Sequence, residues 1–277
     1  MTLSARNNFF RIGIILAALS LCITAIGGYF IFHALPDAAA NSALRARGIT
    51  QALVRGFTEP SAYVPFWGII SAVLFSLVSI ILIYYFFEKT KSPEILFIGL
   101  FAISFAFEFA RLAIPFRRAF PFPFVYLIAS SRILLFGRYF GLFSLFAASV
   151  YAAGFDAQKQ QGGFISVVLA SLLIALNVPV NSLVWDSTFK LWYGYSSMLN
   201  MVELGIISVT VISFFVCVYT RGARNYAFIG LGTFMAYIGR NILFSADNWF
   251  TPIPGLVILT VGTWLICSRL HKEYLWL

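Results

Sequence analysis

The sequence predicts an all-α, polytopic transmembrane helix bundle of about eight spans. Of its 277 residues, 61% are hydrophobic and 10% charged, whereas a soluble domain carries about 25% charged residues. Apolar stretches long enough to cross a bilayer, roughly 20 residues each, recur eight times. The basic residues fall mainly between those stretches, as the positive-inside rule expects. A formal charge of +9 could point to nucleic acid, but no basic run exceeds the pair Arg117-Arg118, so a nucleic-acid partner is excluded.

The first span runs from Phe9 to Leu35. Arg6 and Arg11 precede it, and its apolar stretch exceeds a signal-peptide core of about 7–15 residues, so residues 1–35 read as a cytoplasmic tail and an uncleaved signal-anchor helix. Residues 36–63 form an extracytoplasmic loop, partly helical because of its Ala, Leu and Gln content. Residues 64–277 hold seven further spans and a short cytoplasmic tail. The predicted limits of these spans are Val64–Phe87, Ile95–Pro115, Phe124–Ala153, Phe164–Val180, Ser196–Tyr219, Tyr226–Phe244 and Ile253–Leu270.

Orientation follows from the basic residues. With the N-terminus inside, Arg6, Arg11, Lys89, Lys91, Lys159, Arg221, Arg224, Arg269 and Lys272 are cytoplasmic. Arg45, Arg47, Arg55, Arg117, Arg118 and Lys190 are external, and the first three of those lie in the long loop, where charge counts less. Both termini are expected in the cytoplasm, with the protein in the cell inner membrane.

Two spans carry stripes of small residues at helical spacing: Gly137, Gly141, Ser144 and Ala148 in the fourth, Gly232, Ala236 and Gly239 in the seventh. In lipid such stripes let backbones approach, so both are expected to be packing seams. Leu142, off the first stripe, is expected on a more tolerant face. A weak repeat also exists: Phe97-Ile98-Gly99-Leu100 returns as Phe228-Ile229-Gly230-Leu231, and Gly68-Ile69-Ile70-Ser71 as Gly205-Ile206-Ile207-Ser208.

Six ionisable residues fall within spans: Glu108, Arg111, Arg132, Arg138, Glu203 and Arg240. Each costs about 2.5–3.5 kcal/mol to insert facing lipid, so they are expected to face one another or a water-filled cavity. At about 1.5 Å per residue, all but Arg138 lie about 6–12 Å from the outer ends of their helices; Arg138 reads as deeper. Glu108 and Arg111, three apart, share a face, and Glu203 is expected to pair with Arg240 or Arg132. Asn200 accompanies Glu203, and Tyr237 accompanies Arg240. Four arginines against two glutamates leave a surplus of positive charge. An anion such as a carboxylate, phosphate or lipid headgroup would neutralise it, because guanidinium forks match those groups. The competing reading is a network of interhelical salt bridges.

Catalytic chemistry is not indicated. The histidines, His33 and His271, sit at opposite span boundaries, and neither H-E-x-x-H nor G-x-S-x-G occurs. Cys22, Cys217 and Cys267 lie singly in apolar segments and suggest neither disulfide nor metal. No metal and no cofactor is expected; the lack of any lysine within a span argues against retinal.

Spans two to eight form a seven-helix set with an outside start, an inside end and a polar, aromatic third member (Phe105 to Arg111). In this layout Val64 to Leu270 resembles the seven-helix membrane region of bacterial 7TM receptors with diverse intracellular signalling modules. The resemblance implies a receptor-like module. Those receptors also carry a folded extracytoplasmic sensor and a cytoplasmic output domain, whereas here residues 36–63 and the tail His271–Leu277 stand in those places, so a membrane or cytoplasmic protein partner is expected. Three readings remain open: a ligand-binding receptor-like module, a small carrier or flippase for an anionic solute or lipid, and a structural subunit of a membrane complex.

Overall fold

The computed structural model describes residues 3–34, 63–88, 90, 92–120, 123–180 and 184–275. The expected helix within Pro36–Tyr63 lies outside them. Among the described residues eight segments are long and apolar enough to cross a membrane, and together they build an all-α bundle. The first and second are single helices, Leu3–Ala34 and Val64–Phe87. The third is composite: an α-helix Pro93–Ser104, a 3-10 segment Phe105–Leu112 and a short helix Ala113–Ala119. The fourth to eighth are Val125–Ala152, Gln160–Asn177, Ser196–Arg221, Asn225–Phe244 and Pro252–Leu275.

The third span is the axis of the bundle. It is 89% buried, against 22–28% for the first, fifth, sixth and eighth spans, whose apolar outer faces are suited to lipid. The first, second and fourth spans pack against it, the fifth and sixth lean on the fourth, and the seventh lies between the sixth and eighth. The two halves of the weak sequence repeat differ here: the seventh span is a continuous α-helix, whereas the third is interrupted.

Both small-residue stripes are seams. A Cβ on Gly137 would come within 2.5 Å of the Phe107 Cβ, and one on Gly141 within 3.0 Å of the Ser104 Cβ, so the fourth span lies directly on the third. Ser144 and Ala148, both fully buried, continue that seam. The seventh and eighth spans meet backbone to backbone. A Cβ on Gly239 would sit 2.8 Å from the Gly255 carbonyl oxygen, and one on Gly232 2.9 Å from that of Gly262. Gly262 in turn faces the backbone of Ala236, the middle residue of the stripe. The eighth span thus supplies a complementary pair, Gly255 and Gly262. Leu142 corrects the expectation made for it: it is buried with Tyr139, Ile207 and Tyr237, because the fourth span packs on the third with one side and on the sixth with another.

The start of the first span and the end of the eighth lie on one face of the bundle, and polar contacts tie that face together. The Arg6 guanidinium donates to the carbonyls of Phe87 (2.8 Å), Glu88 (2.9 Å) and Thr90, satisfying acceptors left open at the C-terminal end of the second span. Glu94 sits in the first turn of the third span, where the helix dipole favours a carboxylate. It accepts from the Ser92 hydroxyl and from Tyr274 Oη at 2.7 Å, with Arg221 Nη1 3.9 Å away.

On the opposite face, residues 184–192 form a small hairpin. Trp185 and Leu191 pair, the Phe189 amide donates to Asp186 O, and the Asp186 amide donates to Lys190 O. This is a tight turn closed by a left-handed residue, a place usually given to Gly. Here it is Phe189, at φ 56°, held by burial of its ring among Phe66, Ile69, Leu112 and Leu127. The hairpin therefore packs into the bundle.

Candidate ligand-binding site

The 3-10 segment of the third span creates the site. At 3.0 residues per turn, residues i and i+3 eclipse, so Phe105, Glu108 and Arg111 form one row, and all three are buried. Runs beyond three or four residues are uncommon in this conformation; this one spans eight. Its Glu108 carboxylate is held from two sides. Arg138 of the fourth span donates through Nε at 3.0 Å and Nη2 at 3.2 Å, and Arg111 through Nη1 at 3.2 Å. Arg111 is fixed in turn by the hairpin: its Nε donates to the Thr188 carbonyl at 2.9 Å, and its Nη2 donates there as well.

Arg240 of the seventh span completes the cluster. Its Nη2 donates to the Arg138 carbonyl at 3.1 Å, and its Nη1 lies 4.0 Å from Glu203 of the sixth span, an ion-pair contact too long for a hydrogen bond. That Nη1 is buried and makes no hydrogen bond among the described residues. The Phe244 ring carries both guanidinium groups, 4.7 Å from Arg138 Cζ and 5.2 Å from Arg240 Cζ, a cation–π arrangement that is stronger out of water.

Beside the cluster is a cavity of about 430 Å³. Arg138, Arg240, Glu203, Asn200, Tyr237 and Lys190 all line it. Burial drives the Lys190 ammonium well below its ordinary pKa, and the positive charges of Arg138 and Arg111 push it further down; Glu108 and Asp186 only partly oppose them. Tyr193, next along the hairpin, has a buried hydroxyl without a partner among the described residues, and burial pushes its pKa up to about 12.

The structure thus brings Arg138, Glu203, Arg240, Asn200 and Tyr237 to one cavity, with Glu108 and Arg111 joined to it through Arg138. Arg132 is not among them: it is exposed on the fourth span. The reason lies in the relative heights of the helices. Tyr139 Oη donates to the Leu199 carbonyl at 3.3 Å, so the middle of the fourth span is level with the first turn of the sixth. Arg138 therefore stands beside Glu203 and Arg240, not below them, and Arg132, about 9 Å further along its helix, lies beyond the layer. Depth counted from the end of each helix assumes a common starting height, and that assumption failed for this helix.

Lys190 takes the place that Arg132 vacates. In sequence it was one external basic residue; the turn-forming run Asp186-Ser187-Thr188 beside it was the available signal for a structured hairpin. Three guanidinium groups (Arg111, Arg138, Arg240) and the Lys190 amine face two carboxylates (Glu108, Glu203). Among the described residues no group of three or more His, Cys, Asp or Glu could hold a metal. No family model, curated protein or solved structure matches this chain.

Proposed function

We propose that the chain is a receptor-like, ligand-binding membrane module whose cavity takes an anionic group, a carboxylate or phosphate, and whose occupancy is passed to a partner protein. It would sit in the cell inner membrane with both termini cytoplasmic and the hairpin outside. The observation that carries this reading is the uncompensated charge: three guanidinium groups and the Lys190 amine against two carboxylates at a polar cavity, with Arg240 Nη1 buried and, among the described residues, without a hydrogen bond. Guanidinium groups enclosed in low dielectric attract anions. A salt-bridge network serving only stability would be expected to pair its charges. The carrier reading fits less well, because polar contacts of Arg6 with the end of the second span, and of Arg221 and Tyr274 with Glu94 of the third, tie the terminal face together.

Thermal melting of the detergent-solubilised protein with phosphate, butyl phosphate or acetate tests the proposal. A ligand at 100 times its Kd stabilises by about 2.7 kcal/mol, so a melting rise of several degrees is expected. Phosphate also stabilises proteins non-specifically by exclusion from their surfaces, so the comparison is with variants. Arg240→Gln should lose the rise, and Arg132→Gln, on the exposed face, should keep it. An equal rise in wild type and Arg240→Gln, or none in either, would return the cluster to the structural reading.

A further inference from the structure

The cavity has a side door, and its position says what kind of anion enters. The sixth and seventh spans are joined on the terminal face by a tight turn at Gly222, which adopts a left-handed conformation. Near that turn they are in close contact: a Cβ on Gly230 would lie 3.2 Å from the Phe214 Cβ. Further toward the hairpin face their facing side chains no longer close. Asn200, Glu203 and Leu204 line one wall of the cavity, and Tyr237, Arg240, Asn241 and Ser245 the other. Among the described residues, the direct polar contact between these walls is the 4.0 Å approach of Arg240 to Glu203.

The rim of this wedge faces the bilayer. Asn200, Leu204 and Ser245 are exposed although they line the cavity. Leu204 is 56% exposed, and next to this rim Met201 is 72% exposed. They lie on the same helix as Val209, Ile212 and Phe215, which are also exposed and have no suitable surroundings except lipid. Counting from the start of the sixth span, Asn200 lies about 6 Å in and Leu204 about 12 Å. With headgroup layers about 5–7 Å thick, Asn200 would fall near the boundary and Leu204 among the acyl chains. Charged groups thus occupy the interior of the opening, and Leu204 lies among the polar Asn200 and Ser245 on its exposed lip.

We infer that the ligand is an amphiphile: a phosphate- or carboxylate-headed lipid that enters sideways between the sixth and seventh spans, its head on Arg240 and Lys190 and its chain leaving past Leu204. This rests on the anion site proposed above and adds the source of the anion. A soluble anion would need only the charged interior. A lipid also uses the exposed opening, because its chain can stay in the bilayer past Leu204 while the head enters, and each methylene kept out of water is worth about 0.8 kcal/mol.

The test is a chain-length series of inorganic, butyl, octyl and dodecyl phosphate, with binding measured on the full chain in nanodiscs of zwitterionic lipid. Affinity should rise steeply with chain length. Arg240→Gln should remove that rise, since a dependence that survives it is only partitioning into the bilayer. Leu204→Trp, a bulky residue at an exposed rim position, should weaken dodecyl phosphate at least tenfold more than it weakens inorganic phosphate, with an unaltered melting temperature showing that the fold is intact. Equal affinities along the series, or a Leu204→Trp variant that binds dodecyl phosphate like wild type, would overturn lateral entry while leaving the anion site standing. Failure of every phosphate to bind would overturn both.

Discussion

Glu108 is the residue on which the cluster depends. Its two oxygens serve Arg111 and Arg138 together, and it is buried. Removing one partner from a buried ion pair leaves an uncompensated charge, at a penalty of about 3–5 kcal/mol. Glu108→Gln should therefore lower the unfolding free energy by about that amount, measured by denaturant titration in detergent. The double variant Glu108→Gln, Arg138→Gln should recover part of the loss, because one stranded cation goes with the carboxylate. Lys190 makes a different prediction. Its pKa is held down by burial and by Arg138 and Arg111, against the weaker pull of Glu108 and Asp186, and a bound anion would raise it. Between the lowered free value and the raised bound value, binding takes up a proton. Anion affinity should therefore rise as pH falls through that window, and Lys190→Met should flatten the dependence. Affinity measured across pH in both proteins checks this; a profile that is the same in both would remove Lys190 from the site.

At the scale of the helices, the same substitution should act with opposite sign at two glycines. Gly239 lies against the backbone of the eighth span, with the Gly255 carbonyl 2.8 Å from where a Cβ would be. Backbone cannot yield as a side chain can, so Gly239→Ala should push the two helices apart and destabilise the protein. Gly205, in the middle of the sixth span, has nothing within 4 Å of its Cβ position. There the intrinsic helical preference for alanine, about 0.5–1 kcal/mol, should leave Gly205→Ala neutral or stabilising. Melting temperatures of the two variants decide the point; equal losses would mean that the seventh–eighth seam is looser than described. The seam also shows what the sequence made legible. The stripe of the seventh span was visible because small residues at helical spacing have few other uses in lipid. Its partners Gly255 and Gly262 lie seven apart with only Gly between-turn spacing to mark them, so they became visible only through contact. The fifth span moved toward its N-terminus, to Gln160–Asn177 rather than Phe164–Val180. Pro179 disfavours helix at the residue before it, and the polar Gln160 and Gln161 extend the helix at the other end.

For the whole molecule, the spans were legible because insertion depends on length and apolarity, both linear properties of the chain. Which helices touch, and at what height, is not linear. That is why Glu108, Arg111, Glu203 and Arg240 could be named while Arg132 was placed with them and Lys190 was not. It also explains Glu94, which stood outside the expected third span and is buried under Tyr274 by the packing of the eighth helix. Topology has its own check. A reporter active only outside the cell should be silent when fused after Leu277 and active when inserted near Asn41, and the reverse at either site would invert the membrane orientation. The central claim, that surplus positive charge makes this cavity an anion site, is tested most directly by the pair Arg240 and Glu203, which lie 4.0 Å apart on the cavity wall. Phosphate affinity is measured for Arg240→Gln and Glu203→Gln. Removing the cation should weaken binding at least tenfold, about 1.4 kcal/mol, and removing the competing carboxylate should strengthen it. If both substitutions weaken binding alike, or neither changes it, the pair is a structural salt bridge and the surplus charge does not recruit an anion.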